Sequence, residues 1–254
     1  MADKQQPLME HLLELRNRLL WVALVFAVAS ALCYLYAGEI YGFLTNPLAQ
    51  IQSTTPRRLI YTGLTEAFTT YMTVALFAGG LLTVPCMLWH IWRFIAPGLK
   101  ESERRSVLPF FVAAPILFVA GSCLAFYIVI PIAWQFFLSF ETPQAANGLP
   151  IILEARVAEY LSLTMTLVFA FGLAFQLPIV LGLLGRLGVV TAPQLAKFRK
   201  WAIVLVLIVA AILTPPDILS QSALAIPLYC LYEISIWLVN FMSRERHVRS
   251  GTNS

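Results

Sequence analysis

Charge is scarce in this chain. Only 12% of its 254 residues are Asp, Glu, Lys or Arg, against about 25% in a typical soluble domain. With 59% of residues apolar and a mean hydropathy of +0.79, too little polar surface remains to cover a water-soluble fold of this length. This speaks against a soluble enzyme. The signatures of hydrolytic and phosphate chemistry are missing as well: there is no HExxH, Walker A loop, GxSxG or intramembrane Asp pair. The four cysteines, Cys33, Cys86, Cys123 and Cys230, fall singly inside apolar stretches without CxxC or metal spacing, and so read as small buried hydrophobes and not as disulfides or ligands. Net charge is +4, yet no long basic run or basic face concentrates it, and nucleic acid is not an expected partner. Neither a tandem repeat nor a matched pair of broken helices is visible.

What the chain has is long apolar runs. Six stand out, at 19–36, 67–92, 107–138, 160–185, 201–213 and 223–242. About 20 residues span a bilayer as a helix, so six spans use up the chain and leave one polytopic membrane domain, residues 1–254. The expected fold is an all-α integral membrane protein with six transmembrane helices. The string Ala29-Ser30-Ala31 imitates a signal-peptidase site, but the run continues to Tyr36 and acids precede it, which fits an uncleaved span. Lys and Arg set the orientation. Residues 1–18, 93–106, 186–200 and the tail 243–254 hold 14 of the 17, and the alternate loops hold only Arg57, Arg58 and Arg156. The positive-inside rule then places both termini in the cytoplasm.

The run at 107–138 carries Pro109, Pro115 and Pro131 and should tilt or kink. The last two spans are expected to be short: 201–213 is about 20 Å of helix, and Glu233 interrupts 223–242 after Tyr232. Short helices thin the bilayer or need cover from another protein. Pro215-Pro216-Asp217 joins them in a tight turn. The outward loops 37–66 and 139–159 read as partly structured caps on the outer surface. The single GxxxG, Gly38 to Gly42, lies at a span end.

Residues 1–18 read as a cytoplasmic amphipathic helix. Pro7 suits its first turn, Leu8, Leu12, Leu15 and Leu19 form a stripe, and Glu10, Glu14 and Arg18 share another face. By spacing alone, Glu14 is an i,i+4 partner of Arg18. Ser102 is placed to cap the third span, with Glu103 in its first turn where the helix dipole favours an acid. Glu233, roughly 10 Å inside the sixth span, should face a protein partner or a wet cavity, or sit protonated against a neighbouring helix. Gln176, beside Pro178, could satisfy carbonyls that the proline frees. His90, between Trp89 and Trp92, reads as an interface residue and not a metal ligand.

Taken together, HLLELRNRL at 11–19, FIAPGLKESERR at 94–105, FGLAFQLPI at 171–179, LTPPDILSQ at 213–221 and AIPLYCLYEI at 225–234 resemble the TatC family of twin-arginine translocase subunits. The resemblance covers nearly the whole chain. It implies recognition of export signals bearing consecutive arginines and transport of folded proteins across the bacterial cytoplasmic (inner) membrane. It implies a signal-peptide site at Glu14 and Glu103, with Leu15, Arg16, Phe94, Pro97 and Leu99 in the matching motifs. It also implies TatA- and TatB-like single-span partners docking on the last two spans through Thr214 and Gln221, several copies per complex, and energy from the membrane gradient without a cofactor or metal. Many relatives carry Glu where this chain has Gln176, so a carboxylate there is not required here. Gln176 stays a candidate polar site facing a concave interior, and Glu233 a second intramembrane polar site. The chemistry suits the implied role, because arginine keeps its charge and grips a carboxylate with a planar fork. Bacterial origin is expected, since no Ser/Arg-rich, acid-poor organelle leader precedes the first span.

The alternative is a small-solute or ion secondary transporter. That reading needs polar groups converging at mid-membrane, where only Glu233 and Gln176 qualify. An intramembrane hydrolase is weaker still, because Ser220 and Ser222 lack a histidine at comparable depth.

Overall fold

The computed structural model describes residues 6–50, 58–95, 101–142, 149, 151–213 and 218–251; within these, the side chains of 6–8, 10, 95, 101–106, 219–220 and 243–251 lie outside the description. Among the described residues the chain is helical, with two isolated β-bridges. It divides into two compact units, residues 1–43 with 68–115, and residues 44–67 with 116–254.

In the first unit, helix α1 (Gln6–Leu35) runs without a break from the amphipathic segment into the first apolar run. Nothing between Met9 and Leu35 is a helix breaker. Helix α2 (Ala37–Ala49) follows. Helix α3 (Glu66–Ile95) packs closely on α1: a Cβ at Gly79 would meet the backbone of Ser30 at 2.7 Å. Helix α4 (Glu101–Leu124) begins one residue before Ser102, so Ser102 lies inside the first turn and not at the cap. Trp92 of α3 and Phe111 of α4 meet with ring centroids 4.6 Å apart. The glycines of the GxxxG string, Gly38 and Gly42, stand in open space: a Cβ added at either would meet nothing within 4 Å, so they form no helix crossing among the described residues.

The long third run stays helical through Pro109 and Pro115. Its irregularity lies in the second unit, as one π-helical turn, Ala125–Val129, directly before α5 (Ile130–Leu138). Pro131 has no N–H to return to the preceding turn, and a wider turn there absorbs the missing bond. Helix α6 (Val157–Ala174) lies against the end of α4, with Ser122 Oγ donating to the Val168 carbonyl at 3.2 Å. Tyr160 is fully buried, stacks on Trp134 at 4.9 Å and donates to the Leu44 carbonyl at 3.0 Å. The fourth run breaks after Ala174 and resumes as α7 (Leu177–Leu187). Gly188 ends α7 at φ 79°, a conformation glycine adopts without steric cost. Thr191 then opens α8 (Ala192–Lys197) with a reciprocal capping box to Gln194.

Helix α9 (Arg199–Leu213) has 15 residues, about 22 Å at 1.5 Å per residue. The expectation of a short fifth segment matches this length. The expectation of a short final helix does not: α10 (Ile218–Gly251) has 34 residues, and 22 of them, Gln221–Met242, form a stretch long and apolar enough to cross a membrane. Glu233 does not interrupt it, because its carboxylate is neutralised from outside the helix by Arg199. The tail from 243 continues the same helix to Gly251. Among the described residues, five stretches meet the length and hydropathy needed to span: His11–Leu35, Glu66–Phe94, Val107–Leu138, Val157–Leu187 and Gln221–Met242.

The cysteines also depart from expectation. Cys33 is buried and Cys86 half-buried, but Cys123 and Cys230 are exposed. An apolar stretch long enough to cross a membrane has both inward and outward faces, so apolar context alone did not place them.

Candidate functional site

Three polar constellations interrupt the apolar helices. The first lies at the amino-terminal end of α1. Successive turns bring His11, Glu14 and Arg18 onto one face. Glu14 Oε1 accepts from Arg18 Nε at 3.1 Å and from Arg18 Nη2 in a shorter contact. Oε2 has His11 Nδ1 beside it at 3.6 Å, beyond hydrogen-bond length. Arg18 Nη2 also reaches the carbonyl of Arg93 at 3.3 Å, one of the last carbonyls of α3, which lack intrahelical donors. His11 stacks on Phe94 at 4.1 Å, nearly parallel. Glu14, Arg18 and Phe94 thereby meet where α1 passes the end of α3. The Glu14 side chain is 38% exposed and Arg18 only 18%. Leu15 is half-buried and Arg16 exposed. Glu103 is the third residue of α4, with its side chain outside the described ones, and Pro97 and Leu99 lie outside the described residues altogether.

The second constellation joins α9 to α10. Arg199 meets Glu233 through two parallel contacts, Nε to Oε1 and Nη2 to Oε2, each 2.8 Å. Tyr229 Oη donates to Glu233 Oε1 at 2.7 Å from one turn earlier. Sequence reasoning placed Glu233 deep in lipid with an unnamed partner; the fold puts it level with the first residue of the short helix α9. Nearby, Tyr232 donates to the Leu195 carbonyl at 2.7 Å and fixes α8 on α10. Toward the other end of α9, Gln221 Nε2 donates to the Leu207 carbonyl at 3.1 Å. Thr214 lies outside the described residues. Gln176 is half-buried at the α6–α7 break, its N–H on the Leu173 carbonyl and its carbonyl accepting from Val180, both at 2.9 Å.

The third was not anticipated. Glu66, the first residue of α3, is 8% exposed and accepts the backbone N–H groups of Thr62 at 2.8 Å, Gly63 at 3.1 Å and Ala158 at 3.4 Å, with Arg156 at 3.7 Å. Ile60 pairs with the segment before α6, donating to Ala155 and accepting from Val157, and Arg58 meets Glu154 at 2.8 Å. The segments that precede α3 and α6 are thus stitched together around one carboxylate. An acid opening an apolar helix was the available signal; Thr62 and Gly63 are its neighbours in the chain, but Ala158 comes from 92 residues away. No group of three or more His, Cys, Asp or Glu side chains able to hold a metal occurs among the described residues.

Comparison with known proteins gives these features a context. Residues 10–227 match the family model described as Sec-independent protein translocase protein (TatC). The chain is similar to the Sec-independent protein translocase protein TatC of Rickettsia prowazekii, 48% identical over 237 residues covering 93% of this chain and 94% of that protein. It is also similar to the Sec-independent protein translocase protein TatC of Escherichia coli K12, 36% identical and covering 94% of this chain and 90% of that protein. A solved structure described as "Crystal Structure of Twin Arginine Translocase Receptor- TatC" superposes with a TM-score of 0.78 at 36% identity, covering 90% of this chain and 97% of that one. A matching family model over most of the chain, close relatives along its length and apolar helices long enough to span a bilayer converge: the chain belongs to the TatC family, and is a multi-pass membrane subunit of the twin-arginine protein translocase, a transport component and not an enzyme.

Proposed function

We propose that this chain is the signal-peptide receptor subunit of its translocase. It lies in the bacterial cytoplasmic (inner) membrane with both termini inside and with six spans, α9 being the short fifth. Paired arginines of an export signal bind Glu14 and Glu103, flanked by Leu15, Arg16, Phe94, Pro97 and Leu99. The observation that carries this reading is the arrangement of Glu14. Its Oε1 is occupied by Arg18, while Oε2, among the described residues, has beside it only a histidine just out of hydrogen-bond range. The carboxylate is therefore oriented by its own helix and still presents an oxygen to an incoming guanidinium. Single-span partners of the TatA and TatB kind dock near the outer ends of α9 and α10, by Thr214 and Gln221, and several copies assemble. Gln221 supports this in a specific way: its bond to the Leu207 carbonyl draws two helices together where a 22 Å helix meets a hydrocarbon layer of about 30 Å. Gln176, facing a concave interior, and Glu233 serve as polar sites within the membrane domain.

The test is crosslinking from residues 94–105 to a twin-arginine precursor in native membranes. Glu103→Gln and Glu103→Ala should abolish the adduct, and Lys for Arg in the signal should weaken it, because an ammonium cannot take a carboxylate through two parallel bonds. An undiminished adduct with Glu103→Ala overturns the site. Solute or proton uptake by vesicles holding this chain alone would favour a transporter instead.

A further inference from the structure

The Arg199–Glu233 pair borders a cleft of about 400 Å³, formed by Ala192, Pro193 and Ala196 of α8 and by Ile236 and Trp237 of α10. The cleft follows from local structure: Gly188 turns the chain back, the Thr191 capping box starts α8, and Tyr232 pins that helix to α10. Glu233 grips Arg199 along its Nε–Nη2 edge. A guanidinium has five N–H donors, so this grip leaves three and holds them in a fixed plane. Tyr229 in turn holds Glu233. Arg199 remains 48% exposed, and the exposed Lys197 and Lys200 flank it in sequence. Glu233 cancels one positive charge, and the lysines leave the surroundings net cationic.

Such a site favours an anion with two oxygens set for a planar fork. The surroundings favour one with an apolar anchor. Trp201 and Trp237 are 71% and 68% exposed, as indoles are where membrane meets water. Below Arg199, Trp201, Leu205, Ile208 and Ile212 recur at helical spacing and are all exposed, an apolar stripe running along the short helix. We propose that this cleft is a phospholipid site, with the headgroup phosphodiester on the outer edge of Arg199 and the acyl chains along α9. The site lies at the opposite end of α9 from the region proposed for partner docking, and does not depend on that reading.

Native mass spectrometry of the full chain tests this, with phosphatidylglycerol and diacylglycerol of identical chains offered in equal amounts in detergent. One phosphatidylglycerol should be retained over diacylglycerol by at least about tenfold, equivalent to about 1.4 kcal/mol. Arg199→Gln should erase the preference. So should Ala196→Phe, which fills the cleft and leaves the ion pair in place, and circular dichroism confirms that each variant is folded. Equal retention of the two lipids, or an unchanged preference in folded Ala196→Phe, overturns the proposal. Displacement of the lipid by millimolar inorganic phosphate also overturns it, by identifying a soluble anion as the natural ligand.

Discussion

Replacing Gly121 by alanine should force α4 and α6 apart. A Cβ at Gly121 would stand 2.6 Å from the Phe171 carbonyl oxygen and 2.7 Å from two ring carbons of Phe175, where ordinary contact starts at 3.4 Å. The ring can swing aside, but the carbonyl belongs to the α6 backbone and cannot. Relief therefore needs about 0.8 Å of helix separation to restore normal van der Waals distance. A displacement of that size stretches the Ser122 to Val168 bond from 3.2 Å past useful length. Overpacking costs about 1–3 kcal/mol and the lost hydrogen bond about 0.5–1.5 kcal/mol. Alanine's better helix propensity returns about 1 kcal/mol. The net is a destabilisation of about 0.5–3.5 kcal/mol. Gly42→Ala is the control, since its Cβ would enter open space and should be neutral or stabilising by up to about 1 kcal/mol. Unfolding in mixed micelles, followed by circular dichroism, should show a lower midpoint for Gly121→Ala alone. Equal midpoints for wild type and Gly121→Ala, or equal damage from Gly42→Ala, would refute the argument that backbone approach at this crossing holds the two helices.

Other consequences can be measured directly. Glu66→Ala removes the common acceptor of three backbone amides, so hydrogen exchange at Thr62, Gly63 and Ala158 should accelerate together, while amides in α10 keep their protection. Reversing the charge at Glu233 with Glu233→Arg should reduce accumulation of folded protein, and adding Arg199→Glu should restore much of it; no recovery in the double variant would show that the pair acts singly. Glu14→Gln should lower crosslinking to a twin-arginine signal several-fold, with Glu14→Asp intermediate, since only an anion balances an added guanidinium. A nanodisc density map should show the bilayer thinned beside α9 by about 8 Å, the shortfall of a 22 Å helix against a 30 Å hydrocarbon layer; full thickness there would count against the docking patch.

Helix positions and membrane residence were legible because they depend on properties each segment carries alone. An apolar run of sufficient length must satisfy its own backbone in lipid, and only a helix does that. The family was legible from strings such as FIAPGLKESERR and LTPPDILSQ. The pairing of Glu14 with Arg18 was legible too, being a neighbour relation within one helix. The length of α10 was not. Glu233 reads as an interruption until Arg199, 34 residues earlier, is known to sit beside it.

By itself, then, the sequence determined that the long apolar runs are helical, though not α2 or α8 in the segments read as loops, the bias of Lys and Arg between alternate loops, and the acids near the ends of α1 and α4. The tertiary structure decided what those groups meet: Arg18 on the end of α3, Glu66 on the distant amide of Ala158 at the start of α6, Arg199 locked to Glu233, and close crossings at Gly79 and Gly121 instead of at the GxxxG string. The physical reason is range. Helix formation and hydropathy are sums over neighbours in the chain, whereas an ion pair or a backbone contact between helices depends on where whole elements pack, and no local pattern encodes that.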